Sequence, residues 1–186
     1  MLIQFVRAVL TVYNAIIHPL RVTGKEHLPK GQGYILAMNH TSFRDAVTAF
    51  LILPNNARYM AKKELFDIPP LRWLITKAGA IPVDREGTDL TAMRTALGAL
   101  KEQLPLVIFP EGHRYTDGQI HEFKTGVSFI ALRAGVPIVP ARIRTSYRPF
   151  AKVQVTIGAP LPPCGQPNSE NIAAHTQKLR SIFDQL

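Results

Sequence analysis

Asn39-His40-Thr41-Ser42-Phe43-Arg44-Asp45 sets an imidazole five residues before a carboxylate. Free imidazole titrates at about 6.5, so near neutral pH it can take the proton from a hydroxyl whose oxygen is attacking. A carboxylate on the second ring nitrogen fixes the tautomer and stabilises the imidazolium that results. A bend after a strand, with Ser42 capping the following helix, would bring Asp45 back to His40. The spacing alone is not diagnostic. Six His and six Asp in 186 residues produce it by chance about 0.2 times. Taken singly, His40 reads equally as a buried, hydrogen-bonded histidine, and Asp45 as a helix-start carboxylate favoured by the dipole.

The elements around this segment place it at a junction. Tyr34 to Met38 is a short apolar run bounded by Gly33 and Asn39, which predicts a buried strand leading into His40. Ala46 to Leu53 is an apolar helical stretch stopped by Pro54, and Arg58 to Ala61 reads as a further strand. Pro70 to Ala78 and Thr88 to Gln103 read as helices, the second with Thr88 as N-cap. Leu106 to Phe109 is a strand entering Pro110-Glu111-Gly112-His113-Arg114. Glu122 to Arg133 is a helix ended by Gly135, and Ile138 to Ile143 and Val153 to Ile157 are strands. Ser169 caps a last helix. Strands alternating with helices predict an α/β fold, a single-domain sandwich with a central mixed, largely parallel sheet flanked by helices. Sites in such sheets gather where strands end and helices begin. Both His40 to Asp45 and Pro110 to Arg114 fall there.

Composition narrows the partners. Lys and Arg outnumber Asp and Glu 22 to 13, which favours anions: nucleic acid, an anionic leaflet or a phosphate-bearing substrate. There is no dense basic run and no helix-turn-helix, RNP or zinc-finger pattern, so charge alone leaves the partner open among anions, with nucleic acid not the expected one. The single Cys164 excludes an intramolecular disulfide and lies in a Pro/Gly-rich stretch as a bystander; no Cys/His set has metal-ligand spacing. In residues 1–20, Gln4, Arg7, Thr11, Asn14 and His18 recur every three or four positions and so share one helical stripe, with Leu2, Phe5, Val6, Val9, Leu10, Tyr13, Ile16 and Ile17 around the rest. This predicts an amphipathic helix over 1–22 docked in a membrane interface, ahead of a domain spanning 23–186. Packing on the domain itself and spanning the bilayer are the other two readings.

Further segments turn the pattern into a resemblance. They are Gly79-Ala80-Ile81-Pro82-Val83-Asp84-Arg85, Phe109-Pro110-Glu111-Gly112-His113-Arg114 with Phe123-Lys124-Thr125-Gly126, and Val136-Pro137-Ile138-Val139-Pro140. With the His40 segment, in this order, they resemble the four motifs of the glycerolipid acyltransferases, a family that includes the 1-acylglycerol-3-phosphate acyltransferases. The resemblance runs from about residue 23 to 160. It implies transfer of a fatty acyl group from acyl-CoA or acyl-carrier protein to the free hydroxyl of lysophosphatidate or a related acceptor, with no metal or organic cofactor. His40 would be the general base and Asp45 its partner. Arg85, Glu111, Gly112 and Arg114, with Lys63 and Lys124, would hold the acceptor's glycerol phosphate. Arginine's planar fork suits phosphate and glycine lets the backbone approach closely; read singly, the cations are solvated surface charges and Glu111 a brace for its loop. The chain departs from the family at His113, where Thr is usual, and at Tyr115, where Ser is. The resemblance further implies membrane-lipid partners at the cytoplasmic face of the cell membrane, with peripheral or monotopic attachment. A non-catalytic module binding anionic membranes is the contrasting expectation. Acyl chain length and oligomeric state are not legible at this level.

Overall fold

The structure, a computed structural model, describes residues 2–84, 87, 89–146, 148 and 150–186. A helix α1 (Leu2–Ile17) is followed by β1 (Leu20–Thr23), β2 (Tyr34–Met38), α2 (Arg44–Ile52), β3 (Arg58–Lys62), α3 (Pro69–Lys77) and β4 (Ala80–Val83). Then come α4 (Leu90–Lys101), β5 (Pro105–Ile108), α5 (Gly126–Ala134), β6 (Ile138–Arg144), β7 (Val153–Ile157) and α6 (Ser169–Gln185). The seven strands form one sheet in the order β1-β7-β6-β2-β5-β3-β4. The five strands from β6 to β4 are parallel, β7 runs antiparallel to β6, and β1 is parallel to β7. The sheet is mixed and largely parallel, as the alternation of elements predicted.

Side chains alternate across the pleat and divide the core in two. Ile35, Ala37, Leu106, Ile108 and Ile138 face α4, α5 and α6, where Ala96, Ile130 and Phe183 pack on them. Leu36, Met38, Val107, Val139 and Ala141 face the other way, onto Ala49 of α2 and Leu53 just after it. β2 lies centrally with all five residues buried, which holds the segment after Met38 rigidly at the carboxyl edge of the sheet.

Local chemistry moved several element ends. Asp89 caps α4, its Oδ1 accepting from Ala92 N–H at 2.9 Å; the expected cap, Thr88, lies outside the described residues. Asn168 rather than Ser169 caps α6, accepting from Asn171 N–H at 2.8 Å. The helix expected from Glu122 begins at Gly126. Before it, Lys124 N–H donates to Pro110 C=O at 2.8 Å and His121 N–H to Glu111 Oε1 at 3.2 Å, which holds the chain extended against the Pro110 loop. The helix α1 ends at Ile17, and residues 20–23 pair with β7 in the sheet.

Candidate active site

The His40 segment folds into a tight turn around one oxygen atom. Asp45 Oδ2 accepts from Thr41 N–H at 2.6 Å, from Ser42 N–H at 2.7 Å and from His40 Nδ1 at 3.0 Å. A carboxylate with those partners only accepts, so Nδ1 carries the proton and the Nε2 lone pair is left for substrate. Asp45 is fully buried and His40 is 7% exposed, which keeps their interaction in a poorly screened environment. The imidazole stacks on Phe109, with ring centroids 4.1 Å apart and planes 18° apart. One sequence expectation needs correcting here. Ser42 is not the side-chain cap of α2: the N-cap position is Phe43, without a side-chain bond, and Ser42 Oγ accepts from Arg44 N–H at 3.3 Å. The Thr41 and Ser42 N–H groups are both taken by Asp45, so neither is left to meet an oxyanion.

Glu111 is turned inward, onto the backbone of the His40 turn. Its Oε2 accepts from His40 N–H at 2.7 Å and its Oε1 from His121 N–H at 3.2 Å, and it is 3% exposed. Burial pushes its carboxyl above the ordinary value, and the two N–H bonds pull against that. It braces the His40 turn against the loop after β5. Gly112 has φ +72°, a left-handed conformation that favours glycine, and a Cβ there would lie 2.7 Å from Lys124 Cε. That close approach lays the exposed Lys124 side chain over the Gly112 backbone. Arg114 stacks its guanidinium 3.3 Å from the ring centre of Phe43, within the His40 turn. Lys63 is paired with Asp84 at the ends of β3 and β4. The turn, Glu111, Gly112, Arg114 and Lys124 are therefore linked contact by contact; Arg85 lies outside the described residues.

An apolar pocket of about 450 Å³ opens beside this assembly. Phe109, Gly112 and Lys124 line it on the side of the histidine, and Met93, Phe129, Ile130 and Ile172 line its interior between α4, α5 and α6. Its contents would be largely hydrocarbon.

Residues 19–144 match the family model described as Acyltransferase. The chain belongs to the acyltransferase family. It is 32% identical to the 1-acyl-sn-glycerol-3-phosphate acyltransferase of Bacillus subtilis (strain 168), over 98% of this chain and 96% of that protein. It is 37% identical to the enzyme of that name from Limnanthes douglasii, over 66% of this chain and 44% of that one. With the alpha form from Homo sapiens it shares 33% identity over 70% of this chain and 47% of that one. The chain thus spans nearly the whole bacterial relative and less than half the length of the plant and human ones. A crystal structure of the 1-acyl-sn-glycerophosphate acyltransferase PlsC from Thermotoga maritima shares the fold, with a TM-score of 0.76 at 26% identity, covering 98% of this chain and 78% of that one.

Three features of this acyltransferase were not anticipated. Phe109 is read in sequence as a strand end, yet it supplies the floor for His40. Tyr115, one of the departures from the family, turns its ring onto His121 at 3.6 Å between centroids, while its N–H donates to His40 C=O at 2.9 Å. His121 in turn contacts Asp117 at 2.8 Å. The bulk at 115 is thus stacked on a neighbouring ring. Finally, α1 sits polar side inward. Asn14 and His18 are buried, Arg7 Nε donates to Asn55 Oδ1 at 2.7 Å and its guanidinium covers Phe50, whereas Phe5, Val9, Val12 and Ile16 are 50–67% exposed. Among the described residues no helix is long and apolar enough to cross a membrane.

Proposed function

We propose that this acyltransferase carries a fatty acyl group from the thioester of acyl-CoA or acyl-carrier protein to the free hydroxyl of 1-acylglycerol 3-phosphate, forming phosphatidate. The contact between His40 Nδ1 and Asp45 Oδ2 carries the mechanism. It leaves Nε2 as the base that takes the hydroxyl proton while the acceptor oxygen bonds to the thioester carbonyl carbon. Collapse of the tetrahedral intermediate breaks the C–S bond, and the imidazolium returns the proton to the departing thiolate. Asp45 stays ionised and stabilises the charged ring between those steps. The acceptor's phosphate is held by the cations Arg114 and Lys124, joined by Arg85 and Lys63. Glu111 and Gly112 serve that site through the backbone: one holds the turn, the other makes room for Lys124. The apolar pocket beside Phe109 takes hydrocarbon.

The exposed face of α1 docks the enzyme on a membrane. Phe5, Val9, Val12 and Ile16 recur at helical spacing, and burying them in a lipid interface removes them from water. Phe150 N–H donates to Ile17 C=O at 2.7 Å, and Phe150 and Phe43 are both more than 60% exposed. Arg44, at the start of α2, lies 5.3 Å from the Tyr13 ring. The apolar helix and the His40 turn are thus neighbours, and an excess of basic residues favours an anionic leaflet. Thioester consumption on anionic vesicles, with lysophosphatidate, glycerol 3-phosphate and a neutral lysolipid compared, tests the reading. Turnover is expected with lysophosphatidate first. Arg114→Ala should raise the acceptor KM about tenfold, the loss of one charge-assisted contact; thioester consumption with none of the acceptors would refute the proposal.

A further inference from the structure

β4 is the edge strand of the sheet and has β3 on one side only. Tyr59 N–H donates to Gly79 C=O at 3.3 Å, and the parallel register sets Tyr59 against Ala80 and Ala61 against Pro82. In such a ladder Gly79, Ile81 and Val83 bond to β3, while the Ala80 N–H and C=O and the Pro82 C=O turn to the outer side. Proline is tolerated at 82 because its missing donor falls where no strand follows. Against this edge runs an open groove of about 1320 Å³ between α3 and α4. Arg58, Thr76 and Lys77 stand at its far end, at the amino edge of the sheet. At its near end it shares Asp84, Gly87, Asp89 and Ala92 with the apolar pocket. Groove and pocket thus adjoin along these residues, and the pocket reaches on to Phe109.

The two ends differ in charge. At the near end Lys63 is paired with Asp84. At the far end Lys77 is exposed and makes no ion pair among the described residues, and Arg58 Nη1 donates only to a backbone carbonyl, that of Asn56 at 3.1 Å. From Gly79 to Asp84 an extended strand covers about 16 Å. An occupant suited to this groove is extended, carries amides that can pair with a strand edge, and ends in an anion.

We propose that the groove holds the phosphopantetheine arm of the thioester donor. The arm lies along β4 with its amides against the outward groups of Ala80 and Pro82. Its phosphate sits between Arg58 and Lys77, and its sulfur arrives at the Asp84 end, where the acyl chain passes into the pocket. This rests on the acyl-transfer reading above and adds the place where the donor's carrier binds. Coenzyme A and carrier protein share this arm, so either source fits the groove.

The test uses Lys77→Glu, an exposed substitution, and Arg58→Gln as a second variant. Trp73, the only tryptophan, lies one helical turn before Lys77 on α3 and is half exposed. Its fluorescence is titrated with coenzyme A and with pantetheine, which lacks the phosphate. Coenzyme A should bind about tenfold more weakly to Lys77→Glu than to the wild type, with pantetheine unchanged. In turnover, the KM for acyl-CoA should rise by a similar factor while kcat, the acceptor KM and the use of acyl-pantetheine stay as they were. Equal shifts with acyl-CoA and acyl-carrier protein place the shared arm in the groove; a shift with one alone names that carrier as the occupant. An unchanged donor KM in both variants, a shift of the acceptor KM instead, or an equal loss with acyl-pantetheine overturns the proposal. A wild type that consumes no thioester refutes the acyl-transfer reading, and the coenzyme A titration still decides the groove.

Discussion

Replacing Asp45 with asparagine separates the shape of the His40 turn from its charge. Three donors, Thr41 N–H, Ser42 N–H and His40 Nδ1–H, converge on the single atom Oδ2. An asparagine oxygen in that position accepts the same three bonds, so the turn should persist and the melting temperature should stay within about 3 °C. What disappears is the negative charge 3.0 Å from the imidazole. At that separation and an effective dielectric of about 20, attraction to a charged imidazole is worth about 5 kcal/mol. The ring is charged only once it has taken the hydroxyl proton, so the loss falls on the barrier. At 1.36 kcal/mol per decade it amounts to about three to four decades in kcat, with the acceptor KM little changed. Asp45→Ala should behave differently. It strips an acceptor from three N–H groups, at about 1–3 kcal/mol for each that stays buried and unpaired, and should lower the melting temperature as well. Thiol release under saturating lysophosphatidate, beside thermal melts of both variants, reads the two effects apart. Asp45→Asn retaining more than a tenth of wild-type kcat would refute the reasoning, and so would a loss of activity that merely follows a loss of fold.

Glu111→Gln leaves one of two backbone N–H groups facing an amide NH₂; a cost of about 1–3 kcal/mol, seen as a lower melting temperature, should accompany reduced kcat with donor KM unchanged. Val12→Asp with Ile16→Asp should abolish co-sedimentation with anionic vesicles while leaving the melting temperature intact, since both side chains face away from the domain. His175 is buried against Ser128 Oγ and the Pro162 carbonyl, each at 3.2 Å, and desolvation lowers its pKa from 6.5. The unfolded chain therefore takes up that proton first as pH falls. The stability tied to a neutral His175 is complete above about 6.5 and lost as pH drops through the lowered folded value. Melting temperatures at pH 7.5 and 5.5 should differ more in the wild type than in His175→Gln.

The proximity of His40 and Asp45 was legible because it is local. A buried strand ends, a turn closes over five residues, and the two N–H bonds that close it come from Thr41 and Ser42 within the same segment. The alternating apolar runs likewise disclosed the largely parallel sheet, while β1, only Leu20 to Thr23, was too short to register. Partners supplied from afar were not legible. Glu111 reaches His40 N–H across 71 positions, and nothing in Pro110-Glu111-Gly112 says that the carboxylate points inward. The period of α1 was visible, but not which side the domain would take. Arg7 reaches Phe50 and Asn55 on the domain, while Asn14 turns back to the Leu10 carbonyl of its own helix at 2.8 Å, and the apolar stripe is left outward. Arg85 lies outside the described residues, so its part in the phosphate site rests on the motif.

The most direct test is pre-steady-state thiol release by His40→Gln, with donor and lysophosphatidate both saturating and the melt recorded on the same sample. A fall of at least about a thousandfold in the chemical step with an unchanged melt is predicted, consistent with removal of a general base. Release within tenfold of the wild type would show that another group takes the acceptor's proton.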